Sequence, residues 1–386
     1  MHKGATRPTR CGRLATEWAT VDSLNTVHGV PGILPIWVSR QSGVTKQGEL
    51  AHSMGMSVME GHMSEPSTID DEALSRVVAV INGKGGVLKT SIVANVAGCL
   101  ADSGMRVLAV DLDVSGNLKL DFGLVDSEDD DNGKGIVDAV WNGSQLPVVR
   151  DARPNLDFVF GGRALEVLGQ LSRTPSAVDD LPTGSVGGEF AARLAEIADD
   201  YDMIFLDCPP GNGDLQDMAL AATRWVLIPT KTDPASWDGL RGVGPRVKRA
   251  RRANPSVRYL GVVVTAHNPA ATRVQRNTKA RLDEVGETVP LFDAFIRHSE
   301  TAAHDCRSRG QLAHELAEDA QQLKGRRLAF LAARRRGNQS NVITLPTALS
   351  DSAGGLAGDY TRLAEEICRR VTAAEQSTTV TAGAQA

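Results

Sequence analysis

The sequence predicts an α/β fold in which a doubly wound, mainly parallel β-sheet carries helices on both faces. Short β-rich runs alternate with longer amphipathic stretches from Arg76 onward, the first of these runs is apolar throughout, and a glycine-rich turn joins it directly to a helix. VVAVI at 77–81 lacks the alternation of a strand with one wet face, so it is read as a strand covered on both sides. Residues 91–103 set Ile92, Val93, Val96, Ala97 and Leu100 on one helical face, and Gly104 closes that helix before VLAV at 107–110. LDFVF at 156–160, MIFL at 203–206, WVLI at 225–228 and YLGVVV at 259–264 extend the series to six or more parallel strands.

Composition narrows the class. With 386 residues, 41% of them hydrophobic, the chain can bury one large core or two modest ones. A formal net charge of -5 means that any grip on a polyanion must come from local basic patches. Cysteines 11, 99, 208, 306 and 368 form no CxxC pair, which argues against a disulfide framework or structural metal and fits a reducing, cytoplasmic compartment. The longest apolar runs are strand-sized, and the basic N-terminus is followed by no apolar stretch of the secretory kind.

Five segments are expected. Residues 1–75 read as a disordered extension, and the methionines at 59 and 63 suggest a later translation start. Within it, GELAHSMGMS has the look of a helix-turn-helix corner, although Gly61 and Pro66 leave little room for a recognition helix. Residues 76–318 form the main domain, 319–355 a basic and then Gly/Ser-rich insertion, 356–375 a helix packed on the domain, and 376–386 a disordered tail. DSEDDDNGKG at 126–135 reads as a solvated acidic loop.

Gly83-Lys84-Gly85-Gly86-Val87-Leu88-Lys89-Thr90, followed by Ser91, lies between the buried strand and the helix start. That context makes it a phosphate cradle. Glycines let backbone N–H groups face inward, the helix N-terminus adds positive potential, Lys89 reaches the β- and γ-phosphates and Thr90 ligates Mg²⁺.

The earlier Lys84 makes this K-G-G-x-x-K-T, which resembles the deviant Walker A of the ParA/MinD group of P-loop NTPases. The resemblance implies ATP and Mg²⁺ as ligands and a homodimer that sandwiches ATP, with Lys84 contacting the phosphates held by the partner subunit. Leu88 stands where that group has glycine; a positive φ there would make leucine cost on the order of 1–2 kcal/mol. Asp111-Leu-Asp-Val-Ser-Gly-Asn117 is similar to the ParA family's D-x-D-P-Q-G-N, which implies that Asp113 orients the attacking water and Asp111 supports the metal. YDMIFLDCPPG at 201–211 resembles the Walker B strand, ending in the metal-holding Asp207, and Cys208 inside it is read as a packed core thiol. Adenine contacts are expected from 265–269, including Asn268.

Arg246, Lys248, Arg249, Arg251, Arg252 and Arg258, and then Arg273, Arg276, Lys279 and Arg281, suggest a footprint on a nucleic-acid backbone, with a further cluster at Lys324–Arg336. The resemblance implies a nucleoid-associated ATPase that binds DNA without sequence preference and is stimulated by a ParB-like partner. A MinD-like membrane ATPase needs an amphipathic terminal helix, and TAAEQSTTVTAGAQA is too polar for one. A DNA-binding regulator using the N-terminal extension is the other alternative.

Overall fold

In the computed structural model, residues 72–173, 185–267, 289–335 and 352–383 are described. Strand β1 (Val77–Val80) is buried at every position because it feeds two cores at once: Val78 and Val80 enter one apolar cluster, Val77 and Ala79 the other. That is the period-2 geometry of a strand with helices on both sides.

The elements follow in chain order: α1 (Lys89–Asp102), β2 (Val107–Asp111), α2 (Leu118–Asp121), α3 (Lys134–Asn142), β3 (Val149–Arg153), β4 (Leu156–Val159), α4 (Glu166–Leu171), α5 (Val186–Ala198), β5 (Met203–Asp207), α6 (Gly213–Ala221), β6 (Trp225–Thr230), α7 (Pro234–Ala250), β7 (Arg258–His267), β8 (Leu291–Arg297), α8 (Glu300–Arg309), α9 (Ala313–Arg335) and α10 (Ala353–Gly383). Eight strands form one sheet in the order β3-β4-β2-β5-β1-β6-β7-β8. All pair in parallel except β3, which runs antiparallel to β4. Helices α1, α8, α9 and α10 cover one face, and α3 to α7 the other.

All six strands expected from the sequence are present. The two others lie at the edges, where a strand needs no continuous apolar run. β3 reads VRDAR and buries none of its residues fully; in β8, Phe292, Ala294 and Ile296 alternate with more exposed neighbours. The outer edge of β8 is covered by buried carboxylates of α10. Glu366 accepts hydrogen bonds from the N–H groups of Asp293 and Ala294, and Asp359 from that of Arg297. An edge capped in this way cannot template another strand.

Three segment boundaries are corrected. Leu74 is buried and Ala73–Arg76 forms a 3-10 turn, so packed structure includes residues ahead of 76. Helix α9 runs through the boundary expected at 318/319, because 320–335 is rich in leucine, alanine, glutamine and arginine, all good helix formers. Helix α10 extends to Gly383, into the tail expected to be disordered. The helix-turn-helix candidate and the alternative start lie outside the described residues.

One junction fixes the segment after β2. Gly310, at the end of α8 with φ 61°, presses on Gly123, which follows α2 with φ 66°. The Arg153 guanidinium ties this junction by donating to the carbonyls of Phe122 (3.0 Å) and Gly310 (2.7 Å) and to Glu315 Oε1 (2.6 Å). A Cβ on Gly310 would lie 2.3 Å from Gly123 Cα, so Gly310→Ala is expected to destabilise the protein by about 2 kcal/mol or more. Gly325→Ala, in helical backbone with open space around it, should instead stabilise by about 0.5–1 kcal/mol. Urea unfolding of the two variants checks this opposition.

Candidate functional site

The carboxyl ends of β1, β2 and β5 meet where the doubly wound sheet receives ligands. Val80 is in register with Asp207, and Asp207 with Asp111, so the glycine-rich turn after β1 and two acidic strand ends share one edge. Asn82, fully buried, shapes the turn from below: its Nδ2 donates to Pro229 O (2.8 Å) and its Oδ1 accepts from Lys84 N (2.8 Å). Helix α7 crosses close above through Gly239, where a Cβ would lie 2.2 Å from Asn82 Oδ1.

Within the turn, Gly83, Gly85 and Gly86 are exposed and Val87 is buried as the anchor. Gly86 has φ 73°, and Leu88 has φ 67° and ψ 25° at the N-cap of α1. The strained leucine considered from the sequence is therefore real. Its side chain packs against the core on the α1 face, which offsets part of the backbone cost.

The two lysines diverge. Lys89 is buried, and its ammonium donates to Lys84 O at 3.1 Å, inside its own turn. Burial pulls its pKa down, opposed by Asp207, Cys208 and Asp113. Lys84 stays half exposed and reaches across to Asp233 Oδ1, 3.6 Å away, at the N-cap of α7. Asp233 is itself held by the Ser236 hydroxyl (2.6 Å) and N–H (3.1 Å), which keep its pKa below the usual carboxylate range.

Asp207 is the anomaly of the site. It is 1% exposed, and among the described residues neither carboxylate oxygen finds a hydrogen bond of good geometry. Burial raises its pKa well above the usual value, Asp111 adds to the rise, and the nearby Thr90 hydroxyl and Lys89 ammonium oppose it. A buried carboxylate without partners is what a hard divalent cation beside Thr90 would satisfy. Among the described residues no three acidic, histidine or cysteine side chains converge as a complete metal cage. A cation held here would take its remaining ligands from phosphate and water, the usual pattern for Mg²⁺.

Asp111 and Asp113 organise the loop after β2. Asp111 Oδ1 accepts from Asp113 N (2.9 Å) and Oδ2 from Leu118 N (3.1 Å); burial pushes its pKa up to about 7. Both oxygens are thus spent on backbone, which makes Asp111 a shaper of the loop. Asp113 Oδ1 accepts from Ser115 N (2.9 Å) and Ser115 Oγ (2.8 Å), and Asn117 Nδ2 holds the same hydroxyl at 2.9 Å. Ser115, in the family's glutamine position, therefore supports Asp113. Sequence reasoning gave no role to Asn82, Asp233 or Gly239, and met Ser115 only as a departure from the family's motif.

Other expected residues divide. Ser91 accepts from Asn95 Nδ2 through its carbonyl at 2.8 Å, a contact internal to α1. Asn268, Arg273, Arg276 and Lys279 lie outside the described residues. At the end of β7, the buried Thr265 hydroxyl has no partner among the described residues and Ala266 has φ 52°. Cys208 is a buried core thiol whose pKa is raised by burial.

On α7, two of the expected basic residues share an acidic neighbour. Arg246 donates to Gly213 O (2.9 Å) and Asp217 Oδ1 (3.1 Å), and Arg249 to Asp217 Oδ2 (2.9 Å). The sequence run has no acid, yet α6 brings one to it in space. Lys248 is exposed on the same helix.

The acidic loop is likewise more than solvated surface. Asp131 accepts from the N–H groups of Gly133 (2.8 Å) and Gly135 (2.7 Å), and Asp130 pairs with Lys119.

Residues 75–259 match the family model described as an AAA domain. Over 214 residues the chain is 30% identical to the chromosome-partitioning ATPase Soj of Thermus thermophilus, covering 54% of this chain and 75% of that one. It is 28% identical over 251 residues to the sporulation initiation inhibitor protein Soj of Bacillus subtilis, covering 61% and 94%. An ATP complex of McdA from Cyanothece superposes with a TM-score of 0.52 at 18% identity, covering 62% of this chain and 90% of that one, a likeness of fold.

Two outcomes follow from this geometry. At position 88, glycine should be more stable than alanine by about 1 kcal/mol, the reverse of their order inside a helix, because both lose the side chain and glycine alone escapes the left-handed strain; urea midpoints of Leu88→Gly and Leu88→Ala check it. Asp207 has a folded pKa above its unfolded one, so without metal the protein should lose stability as pH rises from about 4 toward the raised pKa. Asp207→Asn should flatten that decline and be more stable at pH 8 by on the order of 1–3 kcal/mol, and added Mg²⁺ should stabilise the parent and not the variant. Denaturation at pH 5 and 8, with and without Mg²⁺, reads both effects.

Proposed function

The chain belongs to the ParA/Soj family of P-loop ATPases, and from that premise we propose that it is a DNA-partitioning ATPase that binds ATP with Mg²⁺ and hydrolyses it slowly. ATP closes a homodimer, the dimer holds DNA without sequence preference at the nucleoid, and a ParB-like partner stimulates hydrolysis and release. The cargo is plasmid, phage or chromosomal DNA.

The observation that carries this reading is the divergence of Lys84 and Lys89. One cation serves its own turn, and the other stands half exposed on the surface with an exchangeable partner, Asp233. A second cation that acts across a subunit interface has to be positioned in that way.

The remaining residues take roles that follow from their surroundings. Backbone N–H groups from Gly83 to Thr90 would cradle the β-phosphate, with Lys89 released from Lys84 O to meet the γ-phosphate. Thr90 and Asp207 would hold Mg²⁺, which when bound neutralises charge on the β- and γ-phosphate oxygens. Asp113, steadied by Ser115 through Oδ1, would orient the attacking water, and Asp111 would keep the loop in the shape that lets it do so. No helix among the described residues is long and apolar enough to cross a membrane.

DNA binding measured in ADP and in ATP tests the switch, with tight binding expected in ATP alone. Lys84→Ala should abolish ATP-dependent DNA binding by preventing dimer closure. Asp113→Ala should slow hydrolysis by about 10²-fold and leave DNA binding persistent in ATP. Equal affinity in both nucleotides would refute the reading.

A further inference from the structure

We propose that Arg246 of α7 is a positioning residue for ATP turnover: its guanidinium clasps the first turn of α6 and so holds the segment that follows Asp207 against the glycine-rich turn. The inference rests on the ATPase reading above and concerns the same site.

That segment has little means of holding itself. Pro209-Pro210-Gly211-Asn212-Gly213 contains two prolines, which lack N–H groups, and Gly211 takes φ 68°. Side chains from the helices do the holding instead. Gln216 Nε2 donates to Pro209 O (2.7 Å), Asn212 Oδ1 accepts from Leu215 N (3.3 Å), and Arg246 Nη1 donates to Gly213 O (2.9 Å) and Asp217 Oδ1 (3.1 Å). The first two contacts stay within the segment and α6; of these three side chains, Arg246 alone ties them to another helix. Its guanidinium lies directly over Gly213, where a Cβ would stand 2.3 Å from Nη2 and 2.6 Å from Nη1.

Both ends of this tie reach the phosphate cradle. On one side Pro210 faces Gly85, where a Cβ would meet the proline ring at 3.8 Å. On the other, α7 bears on the turn through Gly239, where a Cβ would lie 3.0 Å from Lys84 N, and through its N-cap Asp233, which holds Lys84. Gly85, Pro210, Gly213, Arg246 and Gly239 thus close a ring of contacts, and Arg246 is the polar link in it. On the ATPase reading, nucleotide binding draws on the backbone of the turn and on Lys89, neither of which Arg246 touches. The placement of the segment after Asp207 bears instead on the reacting geometry, where a shift of about 1 Å can cost on the order of 10²-fold in rate.

The test is ATP hydrolysis by the full chain with Mg²⁺ and without DNA, so that no lost DNA contact enters. Arg246→Gln should lower kcat by about tenfold or more and leave KM near that of the parent. Gly213→Ala should do the same with Arg246 intact. The three atoms nearest the new methyl all belong to that guanidinium, the tip of a flexible side chain, so the clasp is displaced and the fold is kept. Combined, the two changes should cost no more than either alone, as expected of residues that act through one contact. Arg106→Gln, which removes another arginine–aspartate pair, with Asp202 at the opposite edge of the sheet, should turn over as the parent does. If the parent hydrolyses ATP and either Arg246→Gln or Gly213→Ala matches its kcat, the clasp is wrong and the ATPase reading stands. Additive losses would overturn the proposal too, as would a fall in kcat accounted for by loss of folded protein, read by circular dichroism under assay conditions. If the parent hydrolyses no ATP, both fail.

Discussion

Charge buried at the carboxyl edge of the sheet governs the rest of this structure. Three aspartates and one lysine, Asp111, Asp113, Asp207 and Lys89, are each less than a tenth exposed, and a buried charge needs compensation to remain charged. Asp111 finds it in two backbone N–H groups and Asp113 in Ser115. Lys89 settles on a carbonyl of its own turn. Asp207 alone of the four makes no good hydrogen bond among the described residues, and burial, with Asp111 beside it, raises its pKa. The site is thus set apart from an ordinary strand-to-helix turn by a deficit that a cation and a triphosphate together would fill.

Holding such a loop requires support from outside the motif. The segment after Asp113 is fixed at its far end by the Gly123–Gly310 contact, by Arg153, and by the buried Asp121 carboxylate, which pairs with Arg307 of α8 at 3.3 Å. Asn95 of α1 accepts from Ala313 N at the start of α9 (2.7 Å). Both the phosphate-cradling helix and the loop after β2 are therefore tied to the same α8–α9 corner. The helices that follow the sheet thus brace the P-loop edge.

What was legible in the sequence, and what was not, divides along a physical line. Central strands such as β1 and β5 were visible because burial on two faces imposes a continuous apolar run. The glycine-rich turn was visible because backbone that approaches phosphate closely tolerates few side chains. Edge strands β3 and β8 were missed because burial on one face or less leaves a weak pattern. The pairing of Arg246 and Arg249 with Asp217 was invisible for a different reason: Asp217 is about thirty residues away in sequence, and only the packing of α6 on α7 brings the charges together. Leu88 is the intermediate case. Its identity flagged a possible strain, and only the backbone angle could show that the strain is carried.

The contrast between the two lysines gives that strain a context. Lys89 cannot leave its turn without exchanging one buried partner for another, so it is bound to whatever enters the cradle. The Lys84–Asp233 pair is 39% and 43% exposed, and such a pair contributes about 0–1 kcal/mol. Lys84 is therefore held in place at almost no energetic penalty for release. A triphosphate presented across an interface would carry more charge than one carboxylate and would be shielded from water by the closing subunits, so it would outcompete Asp233 readily. On the proposed reading, the barrier to closure lies in assembling the two subunits and not in freeing the lysine, and the strain stored at Leu88 sits at the one N-cap that the incoming phosphates would reorganise.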